Sequence, residues 1–172
     1  MDKRYFLIII IILICSVNLY MISNVSNVVG SASVDIGNYT VTLPKEFSLY
    51  EDDGNRILIS NPNNNMNVWI FSNLGDGDNY SNKYKEVNES KQYEVLGDGI
   101  INNHEISIDS LFYQDKYNNE NRSTFYFNKG NHDFRILIIG FDYNSQKNDT
   151  IELASDIAES IRINYKVQKY NI

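Results

Sequence analysis

From residue 39 to residue 143 short apolar stretches alternate with clusters of Asn, Asp, Gly and Pro, the rhythm of strands and turns. Tyr39-Thr-Val-Thr-Leu43 alternates and is rich in β-branched residues, which predicts a strand. Pro44 ends it, because its ring fixes φ and removes a hydrogen-bond donor. Residues 47–50 predict a second strand, closed by the turn Glu51-Asp-Asp-Gly-Asn55, and residues 56–60 a third. The turn Asn61-Pro-Asn-Asn-Asn65 leads into Met66-Asn-Val-Trp-Ile-Phe-Ser72. There Val68 and Ile70 point one way, Trp69 and Phe71 the other. A strand apolar on both sides is expected to be central and covered on both faces.

Gly75-Asp-Gly-Asp78 breaks the pattern, and Tyr80, Tyr84 and Val87 then recur at helical spacing. Strands are expected again at 92–96, 104–113, 123–128 and 133–143, with Asn128-Lys-Gly-Asn131 as a hairpin turn. Residues 134–141 are apolar on both faces, a second central strand. The clearest helix is 149–161: Asp149 and Glu152 have capping-box spacing, and Ile151, Ala154, Ala158 and Ile161 share a face. Arg162 sits where a cation suits the helix dipole. Antiparallel strands with segregated helices define an α+β class, an antiparallel sheet flanked by helices over residues 36–164. Residues 165–172 are then a C-terminal tail.

The chain opens on a different pattern. Six of the seven residues from Ile8 to Ile14 are Ile, and residues 6–22 form a 17-residue run at the lower end of a bilayer span. Lys3 and Arg4 precede it, and the next basic residue is Lys45. By the positive-inside rule the N-terminus stays in the cytoplasm and the body lies outside. Residues 1–23 are thus expected to be a signal anchor or signal peptide, and 24–35 a short polar linker. Gly30-Ser31-Ala32 offers a cleavage site, ten residues beyond Ile22, so an uncleaved anchor is favoured over a secreted form. Cys15 follows the bulky Ile14, which does not suit a lipoprotein signal.

Composition narrows the function classes. Removing Asp2, Lys3 and Arg4 takes the formal charge from -7 to -8, so the body is acidic and is not expected to bind nucleic acid. Cys15 is the one cysteine, which leaves the outer domain without disulfides or a thiol nucleophile. Six Asn-x-Ser/Thr sites, at Asn24, Asn38, Asn79, Asn88, Asn121 and Asn148, would be open to glycosylation outside the membrane.

The order of elements resembles the PsbP-like fold. The resemblance runs through Thr42-Leu-Pro-Lys-Glu-Phe47, Ile59-Ser-Asn-Pro62, a helix before Tyr93-Glu-Val95, and the ending Phe141-Asp-Tyr-Asn144 to Glu159-Ser-Ile-Arg-Ile163. It implies an α/β/α sandwich and, for many members, an exported accessory or binding role. No functional residue of that family matches here.

The remaining chemistry points the same way. His104 and His132 each adjoin an acid, yet neither makes a metal-binding spacing. Asp76-Gly-Asp78 resembles the start of a calcium loop, but Val87 stands where the bidentate Glu belongs. No phosphate, dinucleotide or nucleophile-elbow motif occurs, so no catalytic, cofactor or metal residue is assigned. Tyr80, Tyr84, Tyr113, Tyr117, Tyr126 and Tyr143 are expected mainly at core or half-buried sheet positions, or else on a recognition surface. The expected function is a non-catalytic binding or accessory domain, tethered by its N-terminal helix to the outer face of a prokaryotic membrane. Its partner would be an envelope or extracellular protein. The alternatives are an envelope hydrolase using a carboxylate pair or a small-ligand or lipid carrier.

Overall fold

The computed structural model describes residues 32–103 and 106–164. The predicted membrane segment 1–23, most of the linker, His104 and the C-terminal tail lie outside the described residues. Among the described residues no helix is long and apolar enough to cross a membrane.

Seven antiparallel strands form the main sheet, in the order β3 (Ser48–Asp52), β4 (Arg56–Asn61), β5 (Met66–Ser72), β9 (His132–Ile139), β8 (Glu120–Lys129), β7 (Ile106–Asp115), β6 (Tyr93–Asn103). A smaller sheet joins β1 (Ser33–Ile36), β2 (Tyr39–Thr42) and β10 (Arg162–Ile163). Helix α1 (Tyr80–Glu89) lies between β5 and β6 in sequence, and α2 (Tyr143–Ser160) between β9 and β10. The described residues are therefore α+β, with antiparallel sheets and two helices, as the pattern predicts.

Alternation along each strand gives the main sheet an inner and an outer face. Ile57, Ile59, Val68, Ile70, Ile108, Phe112, Phe125, Phe134, Ile136 and Ile138 point inward and are fully buried. They meet Ala154, Ile157, Ala158 and Ile161 at α2, and Ile36, Tyr39 and Val41 of the small sheet. The two alanines on α2 permit a close approach to the strands. On the outer face Val87 of α1 packs on Leu111 and Tyr113 of β7. The two helices thus cover opposite faces of one sheet, but α1 reaches only the β6–β7 end.

Several boundaries differ from expectation. Ser33, Val34 and Asp35, expected in the linker, belong to β1 and pair with Thr42, Val41 and Thr40. The strand expected to stop at Leu96 runs on to Asn103, passing a bulge between Val95 and Gly97. The strand expected to reach residue 143 stops at Ile139, because Gly140 has φ +85°. The helix expected from Asp149 begins at Tyr143. Its cap is Asp142, whose carboxylate accepts from the Asn144 N–H at 3.0 Å. Asn148 consequently lies inside α2 rather than at its start. The hairpin between β8 and β9 is as predicted, with Gly130 and Asn131 both at positive φ between the paired Lys129 and His132. Arg162 donates to the carbonyls of Glu159 and Ile161, closing the end of α2.

Candidate binding face

The strand registers assemble the outer face row by row. One row runs Leu58, Trp69, Leu137, Thr124, Leu111 across β4, β5, β9, β8 and β7. The next runs Arg56, Phe71, Arg135, Tyr126, Asp109. A third runs Ser60, Asn67, Ile139, Arg122, Tyr113. Leu111, Thr124, Tyr113 and Tyr126, towards the α1 end, are buried. Leu58, Trp69, Phe71, Leu137 and Ile139, beyond it, are only half-buried. The expectation that β5 is covered on both faces is therefore corrected. Its inner residues are sealed, while Trp69 and Phe71 stand on a surface that no helix covers among the described residues.

Two arginines organise that surface. The Arg56 guanidinium sits 5.1 Å from the Trp69 ring centroid, and that of Arg135 sits 4.0 Å from Phe71. Trp69 and Phe71 are themselves stacked, with centroids 6.2 Å apart. The alternation of flat cation and aromatic ring fixes both sets of side chains at small entropic cost. Arg56 is also held by Asp53 at 2.5 Å and Glu51 at 3.4 Å. At the β3 edge a hollow of about 370 Å³ is lined by Tyr50, Leu58, Ser60, Asn67, Trp69, Glu120 and Ile139.

The border with α1 is a charged clamp. Arg135 donates from Nη1 to both oxygens of Asp78 at 2.7 Å, and the Tyr126 hydroxyl donates to Asp78 Oδ1 at 3.0 Å. Asp78 lies in the loop entering α1, whose cap is Asn79, accepting from the Asn82 N–H at 3.0 Å. The clamp pins this loop, and with it the start of α1, to the middle of the sheet.

Beside the clamp a groove of about 480 Å³ runs between the α1 start and β7, β8 and β9. Three carboxylates line it: Asp78, Asp109 and Asp133. Asp78 is spent on Arg135 and Tyr126, and Asp133 accepts from the Asn128 amide at 3.2 Å. Burial raises the Tyr126 phenol, helped by Asp78 and opposed by Arg135. Burial, then the Asp98 carboxylate, pushes Tyr80 up to about 12. Both phenols are held neutral relative to an unfolded tyrosine near 10, so their contribution is complete below pH 10 and lost as pH rises through the folded values. Spectrophotometric titration of tyrosinate is expected to leave a late-ionising fraction above pH 11. That fraction shrinks in Tyr126→Phe and in Tyr80→Phe, and the part that remains in both includes Tyr39, whose phenol is also raised by burial.

At the far side of the outer face Asp115 is buried, with side-chain exposure of 1%. Burial opposes its charge, but the Gln92 amide, the Tyr117 N–H and Arg122 outweigh it and hold the carboxyl below its usual range.

The residues singled out from sequence fall in different places. His132 is exposed at the start of β9, its ring edge-on to Tyr39 at 5.3 Å. Among the described residues no group of His, Cys, Asp and Glu could hold a metal. Asp76-Gly-Asp78 supplies the clamp rather than a calcium loop. Of the six tyrosines, Tyr113 and Tyr126 are buried, Tyr80, Tyr84 and Tyr143 half-buried, and Tyr117 is 78% exposed. Two sequon asparagines serve the fold: Asn79 caps α1, and Asn121 donates to the Phe141 carbonyl at 3.1 Å.

No family model matches the chain, and no curated protein matches its sequence. Among solved structures it is similar to cyanobacterial PsbP (CyanoP) from Synechocystis sp. PCC 6803. The TM-score is 0.48 at 8% identity, over 80% of this chain and 95% of that one. A protein of Bacteroides thetaiotaomicron VPI-5482 gives 0.45 at 14% identity, over 77% of this chain and 47% of that one. A protein of unknown function, PA94 of Pseudomonas aeruginosa, gives 0.40 at 12% identity, over 64% of this chain and 94% of that one.

Proposed function

We propose that the chain is a non-catalytic binding or accessory domain, held by residues 1–23 on the outer face of a prokaryotic cell membrane. The observation that carries this reading is the open half of the outer sheet face. A stretch of Leu58, Trp69, Phe71, Leu137 and Ile139 is built into the middle of the sheet and left half-exposed. It is framed by Arg56 and Arg135, each stacked on a ring. Aromatic residues and arginine are the types enriched at protein interfaces, and fixed rings lose little entropy on docking. Support for the membrane side comes from Lys3 and Arg4 before the apolar run and from the absence of another basic residue before Lys45. The PsbP-like α/β/α sandwich belongs to the same reading, supported by the element order and by one helix on each face.

The partner is an envelope or extracellular protein that brings an apolar surface to β4, β5 and β9. A capture experiment tests this with the full chain in mild detergent. An envelope component retained by the wild type should be lost with Leu137→Asp and kept with Tyr117→Asp, a change on the exposed β7–β8 hairpin. Equal retention by both variants contradicts the assignment of the face.

A further inference from the structure

The two edges of the main sheet are built differently. Edge strand β3 has five residues, a bulge between Leu49 and Glu51, and acids at Glu51 and Asp52. Short length, a bulge and charge are the usual protections against pairing with another chain. Edge strand β6 has eleven residues, and its bulge, between Val95 and Gly97, lies near its start. Beyond the bulge Gly97-Asp-Gly-Ile-Ile-Asn-Asn103 runs in regular register with β7, free of Pro and Lys. No strand lies beyond it among the described residues. Ile100, in its middle, is 66% exposed.

Glycine is needed at one of the two positions in this run but not at the other. A Cβ on Gly97 would lie 2.7 Å from the Tyr143 hydroxyl, which donates to the Leu96 carbonyl at 2.9 Å. A Cβ on Gly99 would meet nothing closer than Ser110 Oγ at 3.9 Å, and its φ is not in the left-handed region. Glycine weakens a strand interior, so a glycine that its own subunit does not require points to something approaching from outside.

We propose that β6 pairs antiparallel with β6 of a second copy of this chain, about a two-fold axis at Ile100. That register places Ile100 opposite its own mate and covers the exposed side chain. On the outer face Asp98 meets Asn102 of the other copy, a carboxylate opposite an amide donor. On the inner face Ile101 lies over the bare backbone of Gly99. The two-fold repeats every pair. The main sheet becomes continuous across both copies, and both open outer faces lie on the same side.

Cross-linking in the full chain, in membranes and in a Cys15→Ser background, tests the proposal. Directly opposite residues of an antiparallel pair have Cα atoms roughly 4.5–5.5 Å apart, within disulfide range. Ile100→Cys should give a covalent dimer on mild oxidation, about tenfold or more faster than Tyr117→Cys, whose mates the register leaves beyond that range. Chains carrying Asp98→Cys and Asn102→Cys should cross-link when mixed, and neither should do so alone. Adding Asn102→Asp, which sets a carboxylate opposite Asp98 of the other copy twice over, should slow the Ile100→Cys dimer severalfold while leaving thermal unfolding cooperative. No dimer from Ile100→Cys, a rate insensitive to Asn102→Asp, or equal rates at 100 and 117 would overturn the pairing. So would an Ile100→Cys adduct to a different protein, which would assign the edge to a foreign strand.

Discussion

Gly140→Ala is expected to destabilise the domain by roughly 3 kcal/mol or more, combining left-handed strain with a backbone clash. Gly140 has φ +85°, and a Cβ there would lie 2.5 Å from the carbonyl oxygen of Asn65. Neither partner can yield easily. Asn65, itself at φ 57°, closes the β4–β5 turn, and Gly140 ends β9 beside it. Met66, next to Asn65, and Phe141, next to Gly140, are core residues. For a domain of this size the loss corresponds to a fall of about 10 °C in Tm. Trp69 is the one tryptophan of the chain and lies on the strand that follows Asn65, so its fluorescence reports the transition directly. An unchanged Tm would mean that the β9 end and the β4–β5 turn are not locked together.

The second large effect belongs to the clamp. Asp78→Ala removes the carboxylate that serves both the half-buried Arg135 and the hydroxyl of the buried Tyr126. Arg135 already carries one buried donor, Nε, without a partner among the described residues. Stranding its Nη1 and the phenol as well should cost about 2–3 kcal/mol. Asp78→Asn keeps an acceptor for one of the two donors and should cost less. The loop entering α1 loses its anchor in both variants, so hydrogen exchange should rise first at the start of α1. Equal stability of Asp78→Ala and wild type, measured by denaturant unfolding, would reduce the clamp to a surface pair.

These two sites differ in how far the sequence exposes them. The Gly140 turn lies within one stretch of sequence, yet the expected strand runs through it to residue 143, because Phe141 and Tyr143 prolong the apolar run. Strand β5 is legible to the residue, because the turn of 61–65 precedes it and Asn73 follows it. The clamp is not legible, because Asp78 and Arg135 are 57 residues apart and meet only once the sheet has formed. Strand β6 outruns its expected end at Leu96 because Gly97-Asp-Gly99 has the composition of a turn, yet is held in register by β7. Helix α2 begins before its expected start because its first turn, Tyr143-Asn-Ser-Gln146, is polar and Asp149 imitates a cap better than Asp142 does.

The open face illustrates a more general limit. Alternation of Val68, Trp69, Ile70 and Phe71 reveals two apolar sides, and burying both is the ordinary solution. Periodicity reports that a side is apolar but not what covers it. Here α1 is ten residues long and its buried Val87 packs on Leu111 and Tyr113 of β7, so it cannot also reach Trp69 and Leu137. The surface left over is what a binding role would use.

The most direct test combines side and face in one labelling. In full-length chains with Cys15→Ser, a cysteine at Leu137 or at Tyr117 is reacted in intact cells with a membrane-impermeant, photoactivatable maleimide, then irradiated. A tethered outer domain that docks through β4, β5 and β9 predicts labelling at both positions and a discrete protein adduct from Leu137→Cys alone. Labelling that requires permeabilised cells, or indistinguishable adducts from the two positions, would contradict it.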